Sequence, residues 1–122
     1  MRHALLTALA GAALLAGCGG DDDMTAQSRT TATAAPTNTI RMTDFEFAPS
    51  RATVTAGQKI KVPNDDAAPH TLTDRPSSGR PRFDTGTLRG RQTGSFTAPR
   101  PGTYAIYCEL HPFMKGELEV VQ

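Results

Sequence analysis

From residue 40 onward, apolar positions recur at every second residue in short runs separated by turn-forming residues. Ile40 and Met42 alternate with polar neighbours; Phe45 and Phe47 repeat the alternation one step out of phase, and a β-bulge near residues 43–44 is expected to absorb the shift. Ala52 and Val54 alternate before an Ala56-Gly57 turn, and Ile60 and Val62 before the Pro63-Asn64-Asp65-Asp66 break. Thr71-Leu72-Thr73 is β-prone, residues 77–81 read as a loop, and Phe83, Leu88 and Phe96 are spaced core candidates. After a Pro101-Gly102 turn, Tyr104, Ile106 and Cys108 share one strand face, as do Leu118 and Val120 in the last strand. No window of useful length carries helical spacing. Short strands at regular intervals with Gly/Pro turns predict an all-β sandwich.

The first 38 residues follow a different rule. A basic start (Met1-Arg2-His3) leads into an apolar, Ala/Leu-rich run over 4–16, too short to span a bilayer, which needs roughly 20 such residues. This is the pattern of a secretory signal peptide over 1–17. Leu15-Ala16-Gly17-Cys18 resembles a bacterial lipobox, which implies cleavage before Cys18 and lipid on its thiol and new N-terminus; the alternative is an ordinary signal peptide with a chance cysteine. Residues 18–38 hold an Asp21-Asp22-Asp23 run followed mainly by Thr, Ala and Ser, with little to bury, and read as a flexible, lipid-anchored linker. The folded domain is then 39–122, exported and held at the membrane through the N-terminal lipid, facing the periplasm or the cell exterior.

Charge narrows the function. The domain is near neutral, with eleven Lys/Arg against nine Asp/Glu, so it lacks the basic footprint of a nucleic-acid binder. It has no Trp, and a core this small is often supplemented by a disulfide or a metal. With Cys18 lipidated, Cys108 is the one thiol left. An unpaired cysteine in an exported protein needs a reason.

Cys108-Glu109-Leu110-His111-Pro112-Phe113-Met114 supplies one. A strand ending at Cys108 aims its sulfur to the core, and the turn after it brings His111 and Met114 around the same point. A second imidazole must come from elsewhere. Of three histidines, His3 leaves with the signal peptide, so only His70 remains. Taken singly, a buried Cys is a small hydrophobe, a His a hydrogen-bonding residue and a Met core filler. Taken together, two imidazoles, a thiolate and a weak axial thioether are the donor set of a blue-copper electron-transfer site. Soft sulfur suits Cu(I) and imidazole suits Cu(II), so one fixed set serves both states. Zinc also accepts Cys and His, but a thioether is a poor zinc ligand.

At these residues the chain resembles the plastocyanin/amicyanin group of cupredoxins. The resemblance rests on Val62 to Thr71 around the first histidine, Phe83-Asp84-Thr85-Gly86, the Pro101 to Cys108 strand, and the short amicyanin-type loop from Cys108 to Met114 followed by Lys115-Gly116. It implies a Greek-key β-sandwich of seven or eight strands with one copper ion, cycling between Cu(I) and Cu(II), at one end. Two positions depart from the family. Pro63 stands where relatives often end a strand with an apolar or aromatic residue, so that strand should stop early or lie at an edge. Thr71 stands where several relatives have the Asn that ties to the residue after the copper cysteine, here Glu109, which puts that tie in question.

The expected activity is single-electron carriage between redox partners, by a monomer. His70 is expected to be the buried ligand, and His111, flanked by Pro112 and Phe113, the electron port. Arg75, Arg80, Arg82, Arg89, Arg91 and Arg100 would steer an acidic partner if they shared a face, and otherwise form a solvated surface. The competing reading is a lipoprotein that carries or buffers copper. A self-contained copper enzyme would need further histidines, and a metal-free scaffold domain would bind no copper.

Overall fold

The computed structural model describes residues 34–122. The signal segment, Cys18 and all of the linker before residue 34 lie outside the described residues. Eight strands follow in order: β1 (Arg41–Thr43), β2 (Glu46–Ala48), β3 (Arg51–Thr55), β4 (Lys59–Pro63), β5 (Thr73–Asp74), β6 (Thr93–Thr97), β7 (Gly102–Tyr107) and β8 (Lys115–Val121). Among the described residues there is no helix, so none is long and apolar enough to cross a membrane.

One layer is β3-β8-β7-β5, with β3 parallel to β8 and the other pairs antiparallel. The other holds the β1-β2 hairpin and the β4-β6 pair. They are joined by parallel bridges Thr39↔Lys61 and Met42↔Asn64. Thr37 and Asn38, placed in the linker by sequence, already bond to the sandwich: Thr37 N–H donates to the Thr53 carbonyl, and Asn38 accepts from Lys61. Sequence-distant strands made neighbours give the expected Greek-key sandwich.

Alternation fills the space between the layers. Tyr104, Ile106 and Cys108 point inward while Thr103 and Ala105 face out, and Leu118 and Val120 repeat the pattern on β8. Ile40, Met42, Phe47, Ile60 and Val62 come from the opposite layer. Phe83 stacks on Phe96 with centroids 4.7 Å apart and meets Tyr104 edge-on, so the core candidates between β5 and β7 are core. Asp74, fully buried, is neutralised by Arg82, whose backbone N–H, Nε–H and Nη2–H all reach its carboxylate at 2.6–2.9 Å. Pro63 ends β4, as its missing donor requires.

The phase shift after Met42 has another cause than the expected bulge. Thr43 pairs with Glu46 and Met42 with Phe47, so residues 44–45 form a two-residue hairpin turn. Asp44 and Phe45 both adopt left-handed backbone, φ 52° and 59°, as such a turn demands. The turn itself reverses the chain, and Phe45 leaves the core, with 40% of its surface exposed.

Candidate metal centre

Three loops at one end of the sandwich carry the site. The first, 64–70, is pinned by Asn64. Its buried side-chain amide donates to the carbonyls of Ala68, Leu88 and Arg89, and its oxygen accepts the Asp66 N–H. His70 then exchanges two backbone hydrogen bonds with Leu88, at 3.0 and 2.8 Å. The second loop, 108–114, closes on itself: Met114 N–H donates to the His111 carbonyl, and Cys108 N–H to that of Met114. The third is the hairpin turn at Asp44 and Phe45.

The donors converge. Cys108 Sγ lies 3.8 Å from His70 Nδ1 and 3.7 Å from His111 Nδ1, and the two Nδ1 atoms are 3.1 Å apart. The point equidistant from all three atoms is about 2.1 Å from each, within the range of metal–imidazole bonds and a little short of a metal–thiolate bond. His70 and Cys108 are fully buried and His111 is partly exposed. Met114 is also buried, one residue before β8, and is tied by its backbone to both Cys108 and His111. Two imidazoles and a thiol meeting in one triangle fit one copper ion by donor chemistry.

The atoms around the donors fix their direction. Asp66 accepts from His70 Nε2 at 2.8 Å, which leaves Nδ1 unprotonated for a metal. The same carboxylate accepts the N–H groups of Asp44 (2.7 Å) and Phe45 (3.0 Å) and so holds the left-handed turn. Partial burial raises the Asp66 pKa, but the Phe45 amide, the His70 ring and the Asp44 amide outweigh it and leave the group below its ordinary value. Thr71 N–H points at Cys108 Sγ, 3.4 Å away. The tie questioned at Thr71 is present: Glu109 N–H donates to Thr71 Oγ1 at 2.9 Å.

Phe45 covers the centre. Its ring meets His70 and His111 edge-on, with centroids 5.1 and 5.0 Å apart, and lies 6.3 Å from Phe113. Phe113, 70% exposed, lies 5.9 Å from the His111 ring and extends the apolar rim around it. The sequence pointed to Phe113 but gave Phe45 only as an alternating strand position, and it did not show Asp66 as the partner of His70. The four-residue spacing from Asp66 to His70 was visible, but in a loop such spacing does not by itself aim a carboxylate at a ring; Asp66 is held in place by the Asp44 and Phe45 amides of a turn 21–22 residues earlier. The arginines do not all line one concavity. Arg75, Arg80 and Arg82 line a concavity with Thr103 and Ala105, Arg82 being committed to Asp74; Arg89, Arg91 and Arg100 are not part of it.

A profile described as a cupredoxin-like domain matches residues 7–120. Amicyanin-alpha of Methylorubrum extorquens is 32% identical over 82 residues, spanning 66% of this chain and 69% of that protein. Plastocyanin A/B of Petroselinum crispum is 35% identical over 86 residues, 61% of this chain and 86% of that one. Among solved structures, a purple cupredoxin from Nitrosopumilus maritimus superposes with a TM-score of 0.62 at 20% identity, covering 70% of this chain and 100% of that one.

Proposed function

The chain belongs to the cupredoxin-like family, and on that footing we propose that it carries single electrons on one copper ion held by His70, Cys108, His111 and Met114. The observation that carries this reading is the triangle of two Nδ1 atoms and one Sγ, buried on one side and open at His111 on the other. Bound there, copper supplies a couple that exchanges one electron between Cu(I) and Cu(II).

The protein's part is restraint. Asn64, the paired backbone of His70 and Leu88, and the bonds within 108–114 keep the donors from relaxing when the charge changes. Asp66 holds the His70 ring and Thr71 holds the thiolate. Phe45 and Phe113 keep water from the histidine edges, and the partly exposed His111 ring, inside that rim, offers a redox partner its shortest path. The described residues bring together one such ligand group, which suits a carrier rather than an enzyme. Export by the 1–17 segment and a lipid at Cys18 would station the domain outside the cytoplasmic membrane, where it works as a monomer.

An optical titration of the protein with Cu(II) tests the reading. An intense thiolate-to-copper band in the visible, lost in Cys108→Ser and bleached reversibly by a reductant, is expected. A weakly absorbing complex would reject electron carriage and leave copper carriage or buffering in its place.

A further inference from the structure

Behind the cysteine loop runs a line of hydrogen bonds that the ligand set does not require. Glu109 N–H donates to Thr71 Oγ1 (2.9 Å), the hydroxyls of Thr71 and Thr73 lie 2.9 Å apart, and Thr73 Oγ1 lies 3.0 Å from Asp84 Oδ1. Thr71 and Thr73 are buried, so no solvent takes up a stray proton. Asp84 is exposed, and its Oδ1 also accepts the Gly86 N–H at 2.8 Å.

The direction of this line follows from its end. A carboxylate only accepts, so Thr73 must donate to Asp84. A hydroxyl has one proton, so Thr73 can only accept from Thr71. Thr71, its proton so committed, presents only lone pairs to the loop, and the Glu109 N–H is the donor that meets them. Without Asp84 the Thr71–Thr73 pair could run either way, and in the reverse sense the buried Thr71 proton would have no acceptor. Such an unpaired buried donor is costly. Thr71 is also the residue whose backbone N–H points at Cys108 Sγ.

We propose that Asp84 is a positioning residue for the metal centre. Through Thr73 it orients Thr71, which clamps the residue after Cys108 and directs its own amide at the sulfur. Asp84 lies on the segment that pairs with Thr73 across an isolated bridge, so the fold presents it to this line and not to the metal. The effect on the copper rests on the function proposed above; the clamp does not. Amide donation draws electron density from the thiolate and favours the reduced ion, so a loosened Thr71 lowers the reduction potential.

The test compares Asp84→Ala, Asp84→Asn and Thr73→Val. In the metal-free protein, amide hydrogen exchange read by NMR should show Glu109 and Thr71 exchanging about tenfold faster or more in Asp84→Ala, with Leu118 and Val120 in β8 unchanged. Asp84→Asn keeps an accepting oxygen and should restore protection. Thr73→Val, close to isosteric, cuts the same line and should match Asp84→Ala, which settles the matter if the latter folds poorly. In the copper form, Asp84→Ala and Thr73→Val should share a lowered potential that Asp84→Asn largely restores. The proposal is overturned if Glu109 and Thr71 speed up no more than the β8 amides, or if copper potentials stay at the wild-type value. Failure of the wild type to bind copper would reject the function above, and the exchange ratios alone would then decide the role of Asp84.

Discussion

Asp66 and His70 are joined at 2.8 Å through Nε2, the ring nitrogen turned away from the donor triangle. The bond does two things. It selects the His70 tautomer that can ligate, and it shares a carboxylate with the backbone of the Asp44-Phe45 turn, so a strained turn and a metal ligand stand or fall together.

Asp66→Ala should therefore weaken copper binding by about 10- to 100-fold, the usual scale for losing such a supporting group. Competition against a chelator measures it. Asp66→Asn, which still accepts hydrogen bonds, should lose less. Equal affinities for all three proteins would show that the carboxylate is incidental.

Met114 is fully buried beside the loop bonds of Cys108. Met114→Leu nearly conserves volume and should cost less than about 1.5 kcal/mol in urea unfolding of the metal-free protein. It should raise the reduction potential, because the thioether it removes would donate to the oxidised ion. A potential unchanged in voltammetry would place Met114 outside the ligand set.

Phe113, 70% exposed, has little to contribute to folding. Phe113→Ser should leave stability within about 0.5 kcal/mol of the parent. Stopped-flow electron transfer with a protein partner should slow by about tenfold, as expected for an anchor at the centre of a contact surface. A small inorganic reductant that needs no apolar rim should react nearly as before. If both reductants slowed alike, the rim would not be a docking surface.

Gly90 packs against the ligand loop from behind. A Cβ there would collide with the backbone carbonyl of Ala67, between Asp66 and Ala68. Backbone cannot yield as a side-chain tip can, so Gly90→Ala should destabilise the fold by about 1–3 kcal/mol and speed copper loss by displacing the segment that carries Asp66 and His70. Thermal unfolding and copper off-rates with and without the substitution test the two effects together.

The sandwich and the cysteine loop were legible because both are written locally. Period-two alternation marks β4, β7 and β8, and Cys108, His111 and Met114 sit within one turn of chain. The hairpin at Asp44-Phe45 was not, since left-handed turns are read from Gly and Asn and neither is present. Its backbone is held from outside, by a carboxylate 21 residues on. The same remoteness hid the placing of Phe45 over the two histidines, and the direct bond from Asp66 to His70 went unread because loop spacing does not fix where a side chain points. At Thr71 the difficulty was reach. The departure from Asn put the tie in question, and only the approach of this segment to the loop shows that a hydroxyl spans it.

The span between Cys108 and His70 has a kinetic consequence. Cys108 and His111 are three residues apart and can meet in an unfolded chain, but His70 lies 38 residues from the cysteine and arrives only when β5 has docked on β7. Closing so long a loop is paid in chain entropy before any contact rewards it, which places it late on the folding path. A nascent chain would thus offer passing metal ions only the donors of the 108–114 loop, and the His70 imidazole would join them only with the finished sandwich, so tight capture would report that folding is complete.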